Sequence, residues 1–190
     1  METRGKTHGR VWAFAAILFC FILFGGCKKE TPLPQATQTG ANTLGCRING
    51  KVWVAEDSDE MFNRAFGVEG GYQRAIIDTL RNCIWIQSRK NDRTGLQLYV
   101  RKVNKPGVYP LNFNTGISPG TGVPKNYGYY YDGTGRYVTG SRYTGTVNIT
   151  RADTVTGIIS GAFEFTAYDA KTKQTITVTE GRFDLDGANR

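Results

Sequence analysis

Histidine is nearly missing from this chain. The one copy, His8, lies in a segment that reads as a removable leader. Without an imidazole beyond it, Ser-His and Cys-His nucleophilic pairs and histidine-ligated metal sites are excluded. Basic residues are numerous, 24 against 16 acidic, but no four of them cluster, so the stripe that would track a nucleic acid is absent. The carboxylate run Glu56-Asp57-Ser58-Asp59-Glu60 lacks the spacing of a calcium loop, because Met61 stands at the third ligand position. No amphipathic helical pattern follows the leader. The expectation is therefore a chain with no metal, no cofactor and no nucleic-acid partner, and one that leans away from catalysis.

The first residues read as an address. Arg4, Lys6 and Arg10 supply positive charge, and Val11–Phe24 is an uncharged run of 14 residues. About 20 apolar residues are needed to span a bilayer, so this run fits a secretory signal. Gly25-Gly26-Cys27 resembles a bacterial lipobox, with Phe24 where that pattern prefers Leu. The resemblance implies a lipoprotein signal peptide over 1–26 and a Cys27 that carries acyl chains such as palmitate; the bland alternative is ordinary cleavage leaving a thiol. Residues 27–43, rich in Pro, Thr and Gln, read as a flexible linker. Residues 44–190 are then a single domain. Losing Arg4, Lys6, Arg10 and Glu2 with the leader leaves 21 basic and 15 acidic residues, a net +6. The partner implied at this end is a membrane, reached through the lipid anchor. The localisation expected is the cell envelope, as an outer-membrane lipoprotein. No acidic run follows Lys28-Lys29, so the sequence selects neither the periplasmic nor the surface face.

What the domain does contain is a two-residue rhythm. Tyr143, Gly145, Val147 and Ile149 alternate with Thr144, Thr146, Asn148 and Thr150; Ile159, Gly161, Phe163, Phe165 and Ala167 repeat the pattern. Successive strand side chains point to opposite faces, so each stretch has one apolar and one wet face. In the last stretch Ile176 and Val178 are out of phase with Phe183 and Leu185, which predicts a β-bulge near Glu180-Gly181. Asn49-Gly50 predicts a two-residue hairpin turn. Strands are expected over 75–80, 83–89, 96–103, 127–131 and 136–139, with Val108–Leu111 as an edge segment because of Pro110. Residues 61–74 stay unplaced. The fold class expected is all-β, an antiparallel β-sandwich or a partly open β-barrel of about eight to ten strands. Cys46 and Cys83 have two open readings: a disulfide closing a loop of about 38 residues, or two buried thiols.

Cys27-Lys28-Lys29, Cys46-Arg47-Ile48-Asn49-Gly50-Lys51-Val52-Trp53, Ile158–Phe165 and Val178–Phe183 together are similar to lipoproteins of unknown function from Bacteroidota. That resemblance implies a lipid-anchored β domain and carries no catalytic residue with it.

Two candidate sites follow from residue type. Tyrosines crowd residues 127–143, and Tyr127, Tyr129 and Tyr131 share one face of a strand. With Tyr137 and the flanking Arg136 and Arg142 they make a rigid aromatic surface with polar tips, suited to a glycan, peptide or protein partner. The alternative is a pair of carboxylates for glycoside hydrolysis, Glu164 with Glu180 or Asp184 on the neighbouring strand. The functional expectation is a lipid-anchored envelope protein with a non-catalytic binding or accessory role.

Overall fold

The computed structural model describes residues 31–60, 63–72, 82–113 and 125–187. All regular elements among them are strands: β1 (Thr43–Ile48), β2 (Lys51–Val54), β3 (Ser58–Glu60), β4 (Asn63–Ala65), β5 (Val68–Tyr72), β6 (Ile84–Arg89), β7 (Gly95–Val100), β8 (Gly107–Leu111), β9 (Tyr127–Tyr131), β10 (Arg136–Val138), β11 (Gly145–Ala152), β12 (Ile158–Tyr168) and β13 (Thr175–Asp186). Eleven form one antiparallel sheet in the order β2-β1-β13-β12-β10-β9-β7-β6-β5. β12 forks: Tyr168 at its end pairs with Val138 of β10, and most of its length pairs with β11, which carries β8 on its other side. β3 and β4 form a separate hairpin.

The sheet curls into a half-barrel, the second of the two architectures the alternation allowed. The edge strand β5 comes round toward the other side of the sheet: the backbones of Gly71 on β5 and Gly187 after β13 meet closely. Beyond β2, the Glu56 amide donates to the Arg89 carbonyl at 3.0 Å. The Trp53 indole donates to the Thr94 hydroxyl at 2.6 Å, tying β2 to the β6–β7 hairpin. The apolar rows face inward: Ile84 and Ile86, Leu96 and Leu98, Val147 and Ile149, Phe163 and Phe165 are all buried in one core. Each such side chain contributes about 1.5–3 kcal/mol on leaving water.

The bulge lies where the phase break put it. Phe163 pairs with Gly181 and Phe165 with Val178, so three steps along β13 oppose two along β12. The same slip appears against β1, where Gly45 faces Arg182 and Arg47 faces Thr179. The extra residue is Glu180, with φ of 52°. As a result Ile176, Val178, Phe183 and Leu185 are all buried on the same side. At the β1–β2 turn Asn49 and Gly50 have φ of 50° and 80°, the left-handed pair this hairpin requires.

Several expectations change. The described residues hold 13 strands, 11 of them in the curled sheet, and residues 58–72, left unplaced in part, supply β3, β4 and β5. β5 reads Val-Glu-Gly-Gly-Tyr and shows no alternation, since a Cβ on Gly70 would sit 2.1 Å from the Trp85 carbonyl oxygen. The strand expected at 75–80 lies outside the described residues. Cys46 and Cys83 are thiols and not a bridge. Cys46 points into the main core, while Cys83 belongs to a second cluster with Tyr99 and Tyr127 on the outer face, so the sheet itself separates the two sulfurs. Burial pushes the Cys46 thiol up to about 12.

The folded unit also begins earlier than residue 44, at Pro32. The segment before β1 crosses the outer side of β13 and closes around Asp184. That carboxylate accepts from the Thr37 hydroxyl at 2.6 Å, the Thr39 amide at 3.0 Å and hydroxyl at 3.3 Å, the Gly40 amide at 2.9 Å, the Ala41 amide at 3.1 Å and the Ser160 hydroxyl at 2.7 Å. Arg151 and Arg182 hold the carbonyls of Gln38 and Pro34, and Asn42 takes the Asp186 amide. The threonines that made this stretch read as a linker are its fastenings.

Candidate functional site

Residues 127–131 split between the two faces of β9. Tyr130 turns inward, edge-on to Trp53 with ring centroids 6.4 Å apart. Tyr127, Tyr129 and Tyr131 turn outward, opposite Tyr99, Gln97 and Gly95 of β7. The next strand continues those rows with Trp85, Gln87 and Arg89 of β6. On the other side, Val138 and Arg136 of β10 stand opposite Tyr129 and Tyr131. The outer surface of these four strands therefore grades from an aromatic end, through a band of amides, to a cationic end.

The expected site residues fall into different roles within this surface. Tyr129 and Tyr131 are half-buried and line an open cleft of about 310 Å³ with Gln87, Arg89, Arg93 and Gln97. The Tyr131 hydroxyl donates to the Gly133 carbonyl at 2.7 Å, which fixes the ring. Gly95, opposite Tyr131, leaves the cleft floor bare. Tyr127 is only 7% exposed and stacks on Tyr99 at 5.8 Å, so it supports the face from beside the cleft and is not a contact residue. Tyr137 does not belong to this surface. It stands opposite Tyr130, faces the core at 3% exposure, and its hydroxyl bonds Asp132 at 3.2 Å and Gln174 at 3.3 Å. Arg136 is exposed beside Tyr131, its amide held by Asp169 at 3.0 Å. Arg142 is exposed in the β10–β11 connection, away from the cleft lining.

Sequence reasoning missed Gln87, Arg89 and Gln97. They occupy the wet positions of strands whose apolar positions drew the attention, and only the pairing of β7 with β9 brings them to the tyrosines. Burial raises the Tyr129 hydroxyl above its ordinary value, the nearby Arg136 opposing the rise, so at neutral pH the ring offers a neutral O–H. The charged lining is cationic: Arg89 lies 3.9 Å from Glu69 and Lys90 lies 3.6 Å from Glu56, while Arg93 adds a third cation. The surface can stack planar faces, exchange hydrogen bonds in both directions through two amides, and meet an anion.

The carboxylates of the alternative reading do not make a catalytic pair. Glu164 is exposed, and Glu180 sits in the bulge with an ion pair to Arg47 at 3.1 Å. Asp184 is buried and fully engaged by its six donors. Burial opposes its charge, but the hydrogen bonds from Thr37, Ser160, Ala41 and Gly40 outweigh that and hold its carboxyl far below the usual range. A general acid needs its proton near neutral pH, and this group holds none. Among the described residues no group of three His, Cys, Asp or Glu is placed to hold a metal ion.

Comparison with known proteins gives one family. No curated protein and no solved structure matches the chain. A family profile described as a domain of unknown function (DUF6252) matches residues 69–184, from β5 to the clamped aspartate of β13 and across more than half of the chain. The cleft-bearing strands all lie within that match, and the chain belongs to the DUF6252 family.

Proposed function

We propose that this protein is a lipid-anchored envelope domain that binds a glycan across the outer face of β6, β7, β9 and β10. The observation that supports it is the cleft in which Tyr129 and Tyr131 stand beside Gln87, Gln97 and Arg89. Sugar rings present apolar C–H faces that pack on aromatic rings, and hydroxyls that both donate and accept. A side-chain amide supplies one acceptor and two donors, which suits neighbouring hydroxyls. Both rings are set on a strand and the Tyr131 hydroxyl is held by the Gly133 carbonyl, so little ordering entropy opposes binding.

A panel of xylan, mixed-linkage β-glucan, pectin, chondroitin sulfate and heparin tests this reading by affinity electrophoresis and calorimetry. At least one should bind, and Tyr131→Ala should weaken that binding about tenfold, the scale of an aromatic contact residue. Absence of binding across the panel would remove the reading.

The anchor is a separate part of the proposal, supported by Gly25-Gly26-Cys27 after an uncharged run and by the likeness to Bacteroidota lipoproteins. Each buried methylene contributes about 0.8 kcal/mol, so a multiply acylated Cys27 would hold the domain at a bilayer. In fractionated cells the natural protein should stay in the membrane pellet and Cys27→Ala should move to the soluble fraction. A variant that still pellets would remove the anchor.

A further inference from the structure

The cleft is one end of a longer outward surface. Val138 of β10 stands between Tyr129 on one side and Tyr168, the last residue of β12, on the other, and the three are directly opposite in adjacent strands. Tyr168 therefore faces outward like Tyr129. Neighbouring strands lie about 4.8 Å apart, so the two tyrosines are about 10 Å apart on the same face. Tyr168 is stacked by Tyr143 at 5.0 Å with ring planes 10° apart, and both rings are partly exposed. This pair lies outside the cleft lining. The fork in β12 brings it there: only the end of β12 reaches β10, while the rest is covered by β11.

We infer that Tyr168 and Tyr143 form a second aromatic station of the same binding face, and that the ligand is an extended glycan chain crossing β9, β10 and β12. This rests on the glycan reading above and adds to it the length and path of the ligand. A single sugar fills the cleft between Tyr129 and Tyr131. Reaching the second pair requires a chain of about three units or more, with Val138 as the apolar floor between stations. The partner is then a polysaccharide and not a free sugar. Arg136 is exposed on this path and Arg142 adjoins Tyr143, so an acidic unit would meet a cation at either station.

Size ladders of one to six units, cut from the same five polysaccharides, test this by calorimetry on the full chain. Affinity should rise about tenfold or more between two and four units, as the second contact becomes intramolecular. Tyr168→Ala should abolish that rise and leave the affinity for one- and two-unit ligands unchanged, whereas Tyr131→Ala should weaken every length. Equal binding at all lengths, or a Tyr168→Ala protein that keeps the rise, overturns the second station while the glycan reading stands. No binding at any length by any ladder overturns both. Tyr168→Phe, which keeps the ring, should behave as the natural protein and separates loss of stacking from loss of fold.

Discussion

Replacing Asp184 with alanine is expected to lower the thermal midpoint by about 10 °C, from a loss of about 3 kcal/mol. The substitution leaves the buried Ser160 hydroxyl and the part-buried amides of Thr39, Gly40 and Ala41 without their acceptor. Hydrogen bonds to a charged group are each worth more than neutral ones, and stranded buried donors cost their full desolvation. The pH dependence carries a sign that checks the cause. The folded-state carboxyl is held below the unfolded value of about 3.9, so its contribution is fully present above that pH and fades as acid protonates it. The gap in midpoint between natural protein and Asp184→Ala should be constant from pH 8 to about 5 and should narrow below pH 4. Limited proteolysis should show residues 34–42 cut readily in the variant. A gap that ignores acid, or a segment that stays protected, would show that Asp184 is not the fastening.

Two deletions on β13 are expected to have opposite outcomes. Removing Glu180 takes out the residue that has no place in the pairing. Val178, Gly181 and Phe183 keep their faces, and β13 becomes regular against both β1 and β12. The cost is one half-exposed ion pair to Arg47, typically below 1 kcal/mol. Removing Thr177, three residues earlier, is a different matter. Either Ile176 moves to the wet face or Val178 does, because a one-residue slip reverses every side chain beyond it. The exchange of hydrogen bonds between Thr177 and Asn49, which seats the β1–β2 turn, is lost as well. About 3 kcal/mol or more should go, measured by denaturant unfolding. Equal damage from both deletions would mean that the bulge is needed for the curl of the sheet.

The legible part of this fold was the part in which one side chain in two is buried. β6, β7, β11, β12 and β13 announce themselves through paired apolar positions, and the bulge through a change of phase. β5 did not, because close approach of two backbones replaces the apolar row with Gly70 and Gly71. The strap over Asp184 did not either, because Thr37, Thr39 and Gly40 have the composition of an unfolded spacer until an acceptor 147 residues away gives them partners. Of the cleft lining, Tyr129 and Tyr131 were legible from one strand alone. Tyr137 was misassigned because its strand has three residues and follows a turn, which leaves no alternation to count. Gln87 and Gln97 needed the pairing order, which no local pattern contains.

One ladder of the sheet joins the first described strand to the last: β1 pairs with β13, and Thr37–Ala41 close on Asp184. Contacts so remote in sequence form late and slowly. A chain made only as far as Gln174 has neither the partner of its first hairpin nor the acceptor for its strap. Its first hairpin and its strap cannot lock until β13 has been made, so both wait without their partner while the strands between them are already present.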